Sequence, residues 1–218
     1  MKKISILGAT GSVGINTLNI LSNSKEKYNI IALTCYKNFK KLAKYAIKFK
    51  SNYAVIGNKK YYNDLKSQLF GSNIKCLAGE EGIQEVSKLN VDIMISAIVG
   101  IAGLKPTFAC LGNAKILAIA NKESVISAGE LLIKKAKSMK TKIIPLDSEH
   151  NAIFQILNKE EQSSIKNVIL TASGGPFLNM NSNNFKNITV TEALKHPNWK
   201  MGKKISIDSA TMMNKVFE

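Results

Sequence analysis

A chain of 218 residues, 45% of them hydrophobic, is long enough to bury one full core and to begin a second. Its mean hydropathy of −0.03 is that of an ordinary globular protein, and the longest apolar stretch, Ile93 to Leu104, is too short and too interrupted to span a bilayer. The net charge of +16 rests entirely on Lys; with no Arg in the chain, base readout on a nucleic acid is disfavoured, and a solvated Lys surface that attracts small anionic ligands is the better reading.

Met1-Lys2-Lys3 precedes too short an apolar run to form a signal-peptide core, and Cys35, Cys76 and Cys110 make no CxxC pair. The expectation is a cytoplasmic protein with reduced thiols, without a zinc site and without a membrane segment.

In chain order, β-branched runs predict strands at Lys3 to Leu7, Tyr28 to Thr34, Tyr53 to Ile56, Ile74 to Ala78, Ile93 to Ser96, Ile116 to Ala120 and Lys142 to Leu146. Amphipathic stretches between them, such as Val13 to Ser22, Phe39 to Phe49 and Glu123 to Lys137, predict helices. This alternation is the mark of an α/β, doubly wound parallel sheet. Past Asp147 the texture changes to a helix at Asn151 to Leu157, strands at Val168 to Thr171 and Ile205 to Ile207, a polar loop from Ser173 to Asn187, and a last helix from about Ser209. A boundary at Asp147 divides a nucleotide-binding domain, 1–147, from part of a second domain, 148–218, whose last helix is still running at Glu218.

The first strand leads into Gly8-Ala9-Thr10-Gly11-Ser12-Val13-Gly14. Glycines on a strand-to-helix turn let the backbone approach a pyrophosphate at a helix N-terminus; the plain alternative is a tight structural turn. NAD-selective sites commonly place an acid after the second strand, but none occurs between Lys27 and Asn63, where Cys35-Tyr36-Lys37-Asn38 stands instead. Lys37 could meet a 2′-phosphate, so NADPH is favoured over NADH.

The run Ile143 to Leu146 ends in Asp147-Ser148-Glu149-His150. Extended residues two apart share a side, so Asp147 and Glu149 can converge on one hard cation; either Asp147 or Ser148 could instead simply cap the following helix. His150 would face away from Glu149 if the strand continued, and stays outside the site. Asn121-Lys122-Glu123 and Ser173-Gly174-Gly175-Pro176 also follow strands, at the edge where ligands bind. His196-Pro197-Asn198-Trp199, with Gly202 beyond, suggests a lid, with Trp199 equally able to anchor the loop. Helical spacing brings Asn214, Lys215 and Glu218 to nearby faces, where Glu218 could complete a three-carboxylate metal site.

These blocks, together with Ala97-Ile98-Val99-Gly100, Ala120 to Ser124 and Asp208-Ser209-Ala210-Thr211-Met212-Met213-Asn214-Lys215, resemble the 1-deoxy-D-xylulose 5-phosphate reductoisomerase family over the whole chain. The resemblance implies a Rossmann-type NADP domain followed by part of an α+β catalytic domain. It also implies NADPH-dependent rearrangement and reduction of a small phosphorylated sugar to 2-C-methyl-D-erythritol 4-phosphate, in non-mevalonate isoprenoid synthesis. Mg2+ or Mn2+, with Co2+ as a further option, would be held by Asp147, Glu149 and Glu218, polarising the ketone before hydride transfer.

On matching positions, substrate would meet Lys122, Ser148, Glu149, Ser173, His196, Trp199, Ser209, Asn214, Lys215 and Glu218, with Lys122 and His196 counted among the catalytic groups. The cofactor would meet Gly8, Thr10, Gly11, Ser12, Val13, Tyr36, Lys37, Asn38, Asn121, Glu123 and Gly202. The chain departs from the family at Tyr36, where Gly is usual, and members continue past Glu218 through dimer contacts and a C-terminal helical domain, so a homodimer is expected of the longer form. The competing readings are an NADP-dependent semialdehyde or homoserine dehydrogenase and a non-catalytic nucleotide-binding remnant.

Overall fold

Seven short apolar segments form one parallel sheet, and the helices between them cover it. In chain order they are β1 (Lys2–Leu7), α1 (Ser12–Asn23), β2 (Tyr28–Cys35), α2 (Phe39–Lys48), β3 (Tyr53–Ile56), α3 (Tyr62–Gln68), β4 (Lys75–Ala78), α4 (Gly79–Ser87), β5 (Val91–Ser96), α5 (Leu104–Ala109), β6 (Ala114–Ile119), α6 (Lys122–Ser138) and β7 (Lys142–Pro145). The computed structural model describes residues 1–157 and 162–218. They divide into two compact units, Met1–Asp147 and Ser148–Glu218.

Neighbouring strand residues feed opposite faces of the sheet. Ile6, Leu33 and Ile56 join one buried cluster with Leu18 of α1, Leu42 of α2 and Leu65 of α3. Leu7, Ala32 and Val55 join the other with Val86 of α4, Met94, Leu117 and Leu132 of α6. Burial on both faces is why these strands read as continuous apolar runs rather than as alternating ones.

The strand order is β4-β3-β2-β1-β5-β6-β7, and every pair is parallel. The chain winds outward from β1 to β4, then resumes on the other side of β1 with β5. Such a reversal leaves a crevice beyond the carboxyl ends of the two central strands, and ligands of doubly wound sheets bind there. All seven strands expected from sequence in the first unit are present, with ends shifted by a residue or two.

In the second unit α7 (Ser148–Leu157) is followed by short helical turns at Gln162–Ser164, Gly175–Phe177 and Ser182–Asn187, then α8 (Val190–Ala193), α9 (Lys203–Ala210) and α10 (Met213–Phe217). Three expectations fail here. Val168 to Thr171 forms no strand; Val168 and Ile169 are 62% and 81% exposed, so no face of this segment is packed. Ile205 to Ile207 is helical, because α9 buries Ser206, Asp208 and Ser209 while leaving Ile205 exposed, the reverse of the pattern that suggested a strand. The last helix does not start near Ser209: α9 ends at Ala210, and Met212, at φ 60°, breaks it from α10.

Candidate active site

The loop after β1 is fixed by close backbone packing. Gly8 has φ +92°, and a Cβ there would lie 2.5 Å from the Ala97 carbonyl oxygen. A Cβ on Gly14 would overlap the Gly8 carbonyl oxygen, so α1 packs directly on the loop. Gly11 is different: its added Cβ meets only the Gly8 oxygen, at 3.4 Å, and its backbone precedes α1 with no side chain capping the helix. The Thr34 hydroxyl of β2 accepts from Gly8 N–H at 2.9 Å, and the Thr34 carbonyl accepts from Ala9 N–H at 2.7 Å. The result is a held loop whose helix-opening amides, at Ser12 and Val13, are capped by no side chain, a fitting cradle for an anion. Thr10, half-buried, belongs to the same loop.

Beyond β2, Tyr36 and Lys37 are exposed. Asn38 serves the fold: its Oδ1 accepts from Lys41 N–H at 3.1 Å and caps α2.

Asn121 opens α6 and is 2% exposed. Its Nδ2 donates to the carbonyls of Ile98 at 2.5 Å and Gly100 at 2.9 Å, and reaches Glu123 Oε2 at 3.2 Å. Its Oδ1 accepts from Ser124 N–H at 2.8 Å and from the Ser124 hydroxyl. The amide is therefore spent on joining the loop after β5 to the start of α6, and only its backbone is left for a ligand. Next to it, Lys122 Nζ lies 3.0 Å from Asp147 Oδ2, with side chains 13% and 11% exposed. The other carboxylate oxygen, Asp147 Oδ1, is buried with no hydrogen-bond partner. An orphaned, desolvated carboxylate oxygen costs free energy unless something positive meets it.

In the second unit α7 starts at Ser148, which is exposed, so Glu149 is helical. The strand-based argument for aligning Asp147 with Glu149 therefore does not apply: the extended backbone ends before the second acid. The same turn directs His150 towards Glu218, with Nε2 at 3.2 Å from the Glu218 carbonyl oxygen. Glu149 and Glu218 both reach Lys215 Nζ, Glu218 Oε2 at 2.6 Å and Glu149 Oε1 in a short contact. Burial pulls the Lys215 pKa down, but hydrogen bonds and charge from Glu149 and Glu218 outweigh it and leave it raised. Asn214 Oδ1 is a further buried oxygen without a hydrogen-bond partner.

A second polar group gathers at Ser173. Its Oγ lies 3.0 Å from His196 Nε2 and 3.5 Å from Ser209 Oγ, and it accepts from Gly175 N–H at 3.3 Å. His196 Nδ1 accepts from the backbone N–H groups of Asn198 and Trp199, at 3.2 and 3.1 Å, which assigns the proton to Nε2 in the neutral ring. The ring stacks on Trp199, centroids 4.9 Å apart, while Trp199 stays 59% exposed. A Cβ on Gly175 would lie 2.6 Å from the Ser209 carbonyl, so glycine lets the turn reach α9. Gly202 precedes α9 and has open space around it.

The family model described as 1-deoxy-D-xylulose 5-phosphate reductoisomerase matches residues 4–129, and that of its C-terminal domain matches residues 143–218. This chain belongs to that family. The reductoisomerase of a Wolbachia pipientis strain from Culex pipiens is 51% identical over 100% of this chain and 56% of its own length; that of Thermoanaerobacter pseudethanolicus is 43% identical over 100% and 57%. A reductoisomerase structure in complex with NADPH, fosmidomycin and magnesium superposes with a TM-score of 0.92 at 42% identity, covering 100% of this chain and 56% of that one. The Zymomonas mobilis reductoisomerase with NADPH gives 0.89 at 42%, covering 99% and 56%. The chain thus spans little more than half the length of these reductoisomerases. The dehydrogenase readings are not favoured.

Sequence reasoning assigned no positioning role to several residues that hold this candidate site together. Thr34 stood out only as the end of a strand and Ser124 only as part of a block; Thr34 acts on a loop 26 residues away, and Ser124 on the Asn121 side chain. Asp208, paired with Lys204 Nζ at 2.6 Å, was visible only as part of a block.

Proposed function

We propose that this chain carries the cofactor-, metal- and substrate-binding parts of a reductoisomerase converting 1-deoxy-D-xylulose 5-phosphate to 2-C-methyl-D-erythritol 4-phosphate. The reaction is NADPH- and divalent-metal-dependent and belongs to non-mevalonate isoprenoid synthesis; the setting is cytoplasmic, and the longer form is a homodimer. One observation carries the reading: Glu149 and Glu218, far apart in sequence, bring two carboxylates to one half-buried cation position. The magnesium in related structures, the orphaned Asp147 Oδ1 and the all-oxygen donor set support Asp147, Glu149 and Glu218 as ligands of Mg2+, Mn2+ or Co2+.

The bound dication would supply Lewis acidity to the substrate carbonyl and adjacent hydroxyl. Lys122, paired with Asp147 Oδ2, fixes that carboxylate so that Oδ1 remains available. His196 Nε2–H and Gly175 N–H both donate to Ser173 Oγ, leaving the Ser173 hydroxyl hydrogen to point at an oxyanion of the phosphate, with Ser209, Asn214 and Lys215 as further donors. Trp199, held on His196, would cover substrate and exclude water; Ser148 would meet a substrate hydroxyl. For NADPH, Gly8 to Val13 would hold the pyrophosphate and Tyr36, Lys37 and Asn38 the adenosine 2′-phosphate end, with Asn121, Glu123 and Gly202 towards the nicotinamide end. A boundary at Asp147, with most cofactor work in 1–147 and most substrate work in 148–218, completes the scheme.

The test is NADPH consumption with 1-deoxyxylulose 5-phosphate and Mg2+ or Mn2+, comparing the chain with Asp147→Asn. Turnover should depend on metal and fall about a hundredfold or more in the variant, since the dication is worth several kcal/mol at the developing charge. Equal rates would remove Asp147 from the metal site. NADPH binding without turnover or Mn2+ binding would overturn the proposal.

A further inference from the structure

Glu149 of α7 and Glu218 after α10 meet at a point already filled by a side chain of the same unit. Lys215 Nζ accompanies Glu218 Oε2 at 2.6 Å and is in short contact with Glu149 Oε1. The side chains of Glu149, Glu218 and Lys215 are 27%, 1% and 13% exposed, and carboxylate oxygens of the two acids lie within 4.8 Å of each other. Two desolvated carboxylates that close repel unless a positive charge stands between them. The ammonium occupies the position from which a hard cation would reach both acids, and it competes with such a cation for those oxygens.

We propose that Lys215 is a stand-in cation: it holds Glu149 and Glu218 together before metal arrives, and metal binding displaces its ammonium, freeing it for the anionic group of the substrate. The inference rests on the metal reading above and adds an order of events to it. Without Lys215 the two acids would repel and have to splay apart. With it they are kept in place, at the expense of breaking two charge-assisted hydrogen bonds on loading. Because metal and ammonium compete for the same oxygens, each weakens the other's hold by the same factor. The displaced lysine then turns its charge towards the substrate only after the metal is in place, so metal precedes the anion. Lys122 differs, since it takes Asp147 Oδ2 and leaves Oδ1 without a partner; no such exchange is needed at that acid.

Two measurements test this on the whole chain, neither of them turnover. Free Mn2+ is followed by electron paramagnetic resonance during titration of the wild type, Lys215→Met and Lys215→Arg. Lys215→Met should bind Mn2+ about tenfold more tightly than wild type, within the usual range of coupling between competing ligands, and Lys215→Arg no more tightly than wild type. In parallel, acetylation of wild-type lysines is mapped by mass spectrometry with and without saturating Mn2+, using exposed Lys137 as reference. Labelling of Lys215 should rise with Mn2+ while Lys137 stays constant. A folded Lys215→Met with equal or weaker Mn2+ affinity overturns the proposal, as does unchanged Lys215 labelling in Mn2+-saturated wild type. The labelling result decides alone if Lys215→Met does not fold. If wild type binds no Mn2+, the metal reading falls and this inference with it; Mn2+ binding with Lys215 still protected removes the inference only.

Discussion

At the scale of single residues, Tyr36, Lys37 and Asn38 follow one another on one edge of the sheet, yet each is held differently. Asn38 is committed to capping α2. Tyr36 lies across Gly57, where an added Cβ would come within 3.1 Å of its ring, so the glycine directly after β3 makes room for the aromatic. Lys37 is exposed, and with no acid in the sequence between Lys27 and Asn63 its charge is the feature by which this edge could tell a 2′-phosphate from a 2′-hydroxyl. Lys37→Ala should weaken NADPH binding roughly tenfold, the worth of one charge-assisted hydrogen bond, while leaving NADH almost unaffected. Fluorescence titration with both nucleotides checks it, and an equal loss for the two would show that Lys37 does not read the phosphate.

At the scale of elements, three equally spaced glycines around α1 perform separate tasks. Gly14 is helical, but its Cβ would collide with the Gly8 oxygen and with Ala9 Cα at 2.6 Å, both backbone atoms that cannot swing aside. Gly14→Ala should therefore lose about 2 kcal/mol or more of stability through overpacking, read from urea unfolding, and also nucleotide affinity as α1 shifts. Gly11→Ala should leave unfolding nearly unchanged and impair only the nucleotide. Sequence spacing announced the motif but could not separate the two roles, because what differs is which backbone the missing side chain would strike.

The same limit explains what else was legible. The strands of the first unit were readable because a parallel sheet buried on both faces needs unbroken apolar runs. The acids at Asp147 and Glu149 stood out through their place after a strand, although the geometry inferred for them assumed a strand that stops short of Glu149. Ile205 to Ile207 misled because α9 buries its hydroxyls and its acid instead, an inversion that composition cannot report. Lys215 was read as a substrate ligand; its present engagement with two carboxylates depends on how α7 and α10 pack, which no local pattern encodes.

At the scale of the whole molecule, the first unit buries two thiols that carry no catalytic assignment. Burial pushes Cys35 from 9.0 up to about 11, against hydrogen bonds from Thr10 and the Asn38 backbone, and pushes Cys110 from 9.0 up to about 12, against a hydrogen bond with Ser87. Both folded thiols stay protonated where unfolded ones have ionised, so the unfolded state binds fewer protons and stability falls as pH rises above 9. Each tenfold difference in proton affinity between the two states is worth ~1.4 kcal/mol, so Cys35 alone removes about 2 kcal/mol by pH 11. Urea unfolding at stepped pH should show this decline, and Cys110→Ala should make it shallower; an unchanged slope in that variant would mean the thiol is not what titrates. Among the described residues no helix is long and apolar enough to cross a membrane.

The contact between Gly8 and the Ala97 carbonyl bears on how such a chain comes of age. Leu7 pairs with Ser96 in the ladder between β1 and β5, yet β2, β3 and β4 must all be synthesised before β5 exists. The loop proposed to hold the pyrophosphate thus lacks one wall until β5 has docked, a long-range closure of the kind that slows folding. If the proposed site holds, nucleotide capture requires β5 in place, and a nascent chain released before β5 should carry the glycine fingerprint without its grip.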